Sequence, residues 1–288
     1  MKKNIAKGAI DTKKNSGNRA MTKQEKRTAP ISSEWYYVIK WLAIICMVVD
    51  HTAKTVGTGW SDETLLVMRM IGRMAIPFFA WEIVQCFHFT KNRVKHLIQI
   101  GVLAVISEVP YDKVLKGKWC TWEWQNVCFT FLLGWVCLLL MNVDWNKFLE
   151  KCGIKSKGIR KAAAKMAGVA TCFPVFALSE KIHVDYIWHG VGLVFLFEFA
   201  RNRKHKKFWE FIAVATYAGS MGIPLVPVYS TCFFCLIFMW LAEYDAVHPQ
   251  RKREFASKLL LSRPSRIISR FFYPAHLIVL GILSEVLK

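Results

Sequence analysis

The chain has 288 residues, 54% of them hydrophobic, yet it carries a formal charge of +20 at pH 7. A polytopic membrane protein reconciles the two, because apolar spans supply the hydrophobicity while loops on one side collect Lys and Arg. Nucleic-acid binding is the other usual reading of such a charge, and it is disfavoured because the basic residues fall in short runs between apolar segments. Nine Cys are scattered through mostly apolar stretches, and the only CxxC, Cys232 to Cys235, has no second pair to complete a zinc site. No metal is therefore expected.

Residues 1–34 are polar and basic and read as a disordered cytoplasmic tail, with no cleavable signal peptide evident. Residues 35–288 read as a single transmembrane domain. Hydropathy places spans at about 36–56, 65–89, 97–115, 126–143, 162–179, 186–200, 208–221, 223–242 and 271–287. The predicted fold is thus an all-α transmembrane helix bundle of about nine spans, or eight if the seventh and eighth form one re-entrant unit. With the N-terminus inside, 31 of the 40 Lys and Arg lie on the inner side, 6 on the outer side and 3 within spans. That asymmetry predicts a cytoplasmic N-terminus and a multi-pass protein of the cell membrane. There is no internal repeat of the kind that builds many transporters. Cys120 and Cys128 flank a predicted outer loop and could pair.

The polar residues inside these spans define the candidate site, because an ionisable group in a membrane segment is costly and marks function by default. The first span, YYVIKWLAIICMVVDHTAKTV, carries Asp50 and His51 near its outer end. In the second, Arg69 and Arg73 share a helix face with an interval of four, and Glu82 could join the same seam. Arg cannot shed its charge, so each needs an acid, a phosphate, water, or a route to the headgroups. Glu108 and Asp112 close the third span at the depth expected for Asp50, His51 and Arg69. Gln125, Asn126 and Thr130 open the fourth, as a substrate-orienting wall or an oxyanion contact. Asp185, Tyr186 and His189 open the sixth. The last span breaks the pattern: Tyr273 and His276 are placed at its inner end, beside the basic residues Arg263, Arg266 and Arg270.

Six strings, in order, resemble the TraX family of integral membrane proteins, named for a pilin N-acetylase of conjugative plasmids. They are KWLAIICMVVDHTAK at 40–54, RMIGRMAIPFFAW at 69–81, FTKNRVKHL with VISEVPYD within 89–112, QNVCFTFLLG at 125–134, DYIWHGVG at 185–192 and FFYPAHL at 271–277. The chain departs from the family pattern at Gln85-Cys86, at Gln99 and in the stretch after Asp185-Tyr186. The resemblance implies an acetyltransferase that uses cytoplasmic acetyl-CoA as co-substrate. It implies an amino acceptor such as a pilin-like peptide N-terminus; an amino sugar or a cell-surface polymer hydroxyl stays open. Carried over onto this chain are Asp50, His51, Arg69, Arg73, Glu108, Asp112, Gln125, Asn126, Thr130, Asp185, Tyr273 and His276.

Acetyl transfer to an amine needs a base, and an imidazole suits that task. His51 is the expected general base. Adjacent residues point about 100° apart on a helix, so Glu108 or Asp112, rather than Asp50, is expected to hold the imidazole. Asp50 is expected to pair with Arg69 or Arg73, and Asn126, Gln125 or an Arg to stabilise the oxyanion. Tyr273, His276 and Arg270 are expected to meet the donor, on the far side from His51. That separation raises two routes: threading of the pantetheine arm through the bundle, or a relay through an acetyl-His. A different class remains in view, a proton-coupled transporter or flippase in which Asp50, His51, Glu108 and Asp112 form a relay. A structural assembly factor, its polar residues only locking helices, is the third.

Overall fold

Apolar runs separated by capping residues give twelve helices and no strand among the described residues. The structure is a computed structural model that describes residues 31–57, 59–119, 121, 123–220, 225–248 and 262–287. The predicted tail lies outside these up to residue 30, as does Cys120, so a Cys120 to Cys128 pairing falls outside the described residues.

Helix α1 (Ser33–Thr55) starts where the Ser32 side chain accepts the Trp35 backbone N–H. Helices α2 (Asp62–Arg73) and α3 (Ala75–Phe89) form one broken element, and α4 (Arg93–Lys116) runs unbroken past Pro110 to a left-handed Gly117. Then come α5 (Val127–Met141), the short α6 (Trp145–Lys151), α7 (Lys157–Ala170), α8 (Phe173–Lys181), α9 (Ile187–Arg201) and α10 (Lys206–Gly219). Last are α11 (Leu225–Val247) and α12 (Arg263–Val286).

Among the described residues four segments are by themselves long and apolar enough to cross a membrane: α1, α2 with α3, α7 with α8, and the bulk of α12. A fifth is added if α5 and α6, bent by 52°, count as one. The core lies between α1, α3, α5 and α9, where Ile39, Phe78, Trp81, Phe87, Trp135 and Leu193 are fully buried. Outward-facing apolar side chains, such as Val102 and Val105 on α4 and Ile278 and Ile282 on α12, suit a lipid surround better than water.

Helices α1 and α12 run parallel and in contact. The Trp41 indole donates to Ser265 Oγ at 3.1 Å, and ten residues further along α1 the His51 ring meets His276, eleven residues beyond Ser265. This corrects the expected split in depth between the two histidines. Ser262 caps α12, with Pro264 in the first turn, so the helix begins at Arg263 rather than near residue 271. At about 1.5 Å per residue, Tyr273 and His276 then lie about 15 and 20 Å into it, mid-helix.

Candidate functional site

The break between α2 and α3 follows from Pro77, which has no N–H to give to the Arg73 carbonyl four residues earlier. The Tyr217 hydroxyl donates to that carbonyl at 3.5 Å instead. Just before the break, Gly72 lets α2 press against α1, since a Cβ there would overlap the Asp50 side chain. Asp50 is buried; its Oδ2 pairs with Lys54 Nζ at 2.9 Å, one helical turn on, and its Oδ1 has no hydrogen-bond partner. The expected pairing of Asp50 with Arg69 or Arg73 is therefore corrected. Arg73 instead reaches Tyr186, donating from Nη1 to the hydroxyl at 3.2 Å, and its Nε–H is unpartnered. Arg69 has no hydrogen-bond or ion-pair partner among the described residues, and it lines a separate cavity together with Lys54.

His51 Nδ1 and His276 Nε2 are 2.7 Å apart and buried. The ring planes differ by 7° and the centroids stand 5.0 Å apart, so the imidazoles lie edge to edge along that bond. His276 Nδ1 is 3.0 Å from the Phe272 carbonyl. A carbonyl only accepts, so His276 Nδ1 carries the proton and, in the neutral ring, its Nε2 is the acceptor. His51 must then donate from Nδ1, which leaves the lone pair on His51 Nε2. That nitrogen has no partner among the described residues. One backbone carbonyl thus sets both tautomers, a relationship assigned from the bonding pattern.

His51 lines a cavity of about 20 Å³ with Asp50, Gly72, Asp185 and Tyr186. That is room for about one water, which needs ~10–15 Å³ by the same measure. The segment that brings Asp185 and Tyr186 to this cavity is strained: His183, Tyr186 and Ile187 all adopt left-handed φ, at 49°, 64° and 43°. Such clusters cost roughly 1–3 kcal/mol per residue and persist where the surroundings over-determine them. Here Gln125 and Val184 form a parallel bridge, with the Gln125 N–H to His183 O at 2.9 Å and the Asp185 N–H to Gln125 O at 2.8 Å. The Thr130 hydroxyl donates to Asp185 O, and Arg73 holds Tyr186. The strain positions Asp185 and Tyr186 on the cavity. Above the dyad the buried Tyr273 hydroxyl has no partner, its ring 6.2 Å from His51.

Several expected roles are corrected. Glu108 accepts the Asn126 N–H and Nδ2–H at 3.0 and 2.6 Å, and Asp112 accepts Lys116 Nζ at 2.5 Å and the Thr121 N–H at 2.7 Å. Both acids tie α4 to the segment that opens α5; His276, not either of them, holds His51. Asn126 gives Nδ2 also to Ala104 O, and its Oδ1 caps Cys128 N–H, so its amide is spent on structure and is no oxyanion donor. Glu82 leaves the Arg seam for α1, where it accepts from the Tyr36 hydroxyl at 2.7 Å and pairs with Lys40 at 3.2 Å. His189 stacks on Trp188 outside the cavity, and Arg270 is exposed. Lys54 and Gly72, absent from the expected site, belong to it. The i,i+4 interval of Asp50 and Lys54 is a signal the sequence does carry.

Among the described residues no group of three or more His, Cys, Asp or Glu side chains could hold a metal ion. An all-helical body with several membrane-length apolar helices and a buried His-carboxylate cavity defines a class, an integral membrane protein with an internal polar site. The family model described as TraX protein matches residues 36–284, most of the chain, and the chain belongs to the TraX family. No curated protein and no solved structure matches it.

Proposed function

We propose that this chain is an integral membrane acetyltransferase. It moves acetyl from cytoplasmic acetyl-CoA to an amino group of a membrane-associated or exported acceptor, a pilin-like peptide N-terminus being the family's association. In this reading the N-terminus is cytoplasmic, nine helical passes cross the cell membrane, and the cavity lies toward the outer face. The observation that carries the reading is the tautomer chain from the Phe272 carbonyl through His276 to His51, which leaves a basic nitrogen on a cavity lined by two carboxylates.

Each residue then has a task. Asp50 and Asp185 receive the incoming ammonium, and His51 Nε2 takes a proton from the amine. The neutral amine nitrogen bonds to the thioester carbonyl carbon as the C–S bond breaks; the proton that nitrogen sheds on becoming an amide goes to the departing CoA thiolate, and the proton held on His51 passes to water, which restores the base. Arg73, bonded to Tyr186 of the cavity wall, and Tyr273, beside His51, carry an unpartnered Nε–H and hydroxyl, and in this reading they meet the developing oxyanion from behind that wall. With His51 and His276 in contact, no relay between two faces is needed, so transfer is direct, the donor's pantetheine arm threading in from the basic inner side. The transporter reading loses support, because Glu108 and Asp112 are committed to α4–α5 contacts rather than to a relay.

The test is CoA thiol release by the purified chain in lipid nanodiscs, with acetyl-CoA and a short peptide bearing a free N-terminus. Release that depends on both substrates and is abolished in His51→Ala is expected. Absence of both turnover and CoA binding in folded protein would overturn the reading.

A further inference from the structure

Beside the small cavity lies a much larger one of about 660 Å³, within the size range of ligand pockets. It is lined by Lys54, Arg69, Lys116 and Lys118 with one acid, Glu123, and Trp124 and Tyr111 supply aromatic wall. Two of the four cations are committed: Lys54 to Asp50, and Lys116 to Asp112 and the Trp124 carbonyl at 2.6 Å. Arg69 and Lys118 have no ion-pair or hydrogen-bond partner among the described residues. Arg69 is half-buried, with a planar fork of donors and a charge it cannot lose. Lys54 joins the two spaces, lining the large one while pairing with an acid of the small one.

The two volumes divide an acceptor between them. Only a group the size of an amine fits beside His51, so the body of the acceptor must occupy the larger space, against its two uncommitted cations. Building on the acetyltransferase reading, we infer that this vestibule is an anion subsite. The acceptor carries a phosphate or carboxylate near the amine, and Arg69 grips it, with Lys118 adding charge. A planar guanidinium matches such an oxyanion bidentately. The anion is either part of a free acceptor or a lipid headgroup, and the shared chemistry is the oxyanion.

Glucosamine and glucosamine 6-phosphate, differing by one phosphate, are the probes. Their binding to the full chain is measured by equilibrium dialysis in phosphatidylcholine nanodiscs. The phosphorylated amine should bind about tenfold tighter or more, the scale of one charge-assisted hydrogen bond. That preference should shrink with salt, be lost in Arg69→Gln and survive in part in Arg69→Lys. Equal binding of the two probes, or an undiminished preference in folded Arg69→Gln, overturns the subsite; the salt series on the unmodified chain decides if the variant does not fold. Replacing part of the lipid by phosphatidylglycerol separates the sources: competition with the phosphorylated probe supports the subsite and makes a headgroup its occupant. Absence of competition, with the preference intact, supports it with a free acceptor. Thiol release in the same discs separates the two readings. Turnover without a phosphate preference defeats only the subsite, and preference without turnover defeats only the acetyltransferase.

Discussion

Replacing His276 by Phe removes the acceptor of the His51 Nδ1–H while keeping a flat ring of similar bulk. His51 Nδ1 sits 2.7 Å from the lost nitrogen in a buried setting, and a buried N–H left without a partner costs about 1–3 kcal/mol. The ring escapes that cost by shifting its proton to Nε2 or by turning, and both remove the base from the cavity. At about 1.4 kcal/mol per factor of ten, the competent form falls roughly 5- to 150-fold. Because His276 does not line the cavity, the loss should appear in kcat, with KM for the acceptor little changed. His276→Gln places an amide oxygen near the former Nε2 and should recover much of the rate. The assay is thiol release under saturating acetyl-CoA over a range of acceptor concentration, on protein whose size-exclusion profile matches the unmodified chain. Unchanged kcat in His276→Phe, or a Gln variant as impaired as the Phe variant, would refute the tautomer argument.

Asp185→Asn keeps shape and removes one of two charges on the cavity, so KM for an amine acceptor should rise about tenfold, with CoA binding intact by dialysis. Asn126→Ala strips Glu108 of its side-chain donor and removes the α5 cap; a loss of about 2–4 kcal/mol in detergent denaturation is expected. Glu108→Gln, which still presents an acceptor oxygen, should keep most of the activity per folded molecule, whereas a catalytic Glu108 would not tolerate it. Gly72→Ala gains about 1 kcal/mol of helix propensity but drives a methyl into Asp50. Overpacking of about 1–3 kcal/mol should dominate, lowering the thermal midpoint and impairing thiol release together. A stabilised, fully active Gly72→Ala would show that α2 and α1 are not held in register there.

What the sequence makes legible is whatever is local. Ser32, Ser61, Asn92, Asn126 and Ser262 each precede a helix and accept from its first turn, as their side chains require. Pro77 announces the break after Arg73, and Gly117 the end of α4. Asp50, His51, Asp185 and Tyr186 stand out because ionisable and hydroxyl groups are costly in an apolar run, and the fold brings these four onto one cavity. What is not legible is depth. The basic residues Arg263, Arg266 and Arg270 read as loop by charge, although Ser262 and Pro264 mark a helix start, and that shift of two turns moves His276 from the inner end to His51.

Partner choice is the other hidden quantity, because it depends on how competing acceptors are satisfied rather than on polarity. Glu108 and Asp112 look like imidazole partners until Asn126, Lys116 and the Thr121 amide claim them. With those acids committed, the acceptor that His51 Nδ1 meets is the one nitrogen of His276 that the Phe272 carbonyl leaves unprotonated. An acid in that place would favour an imidazolium by its charge, whereas a neutral histidine fixes the proton's position without adding charge. The arrangement therefore suits a base that must stay neutral until an amine arrives, and the two carboxylates that would attract an ammonium, Asp50 and Asp185, border the cavity instead of bonding the ring.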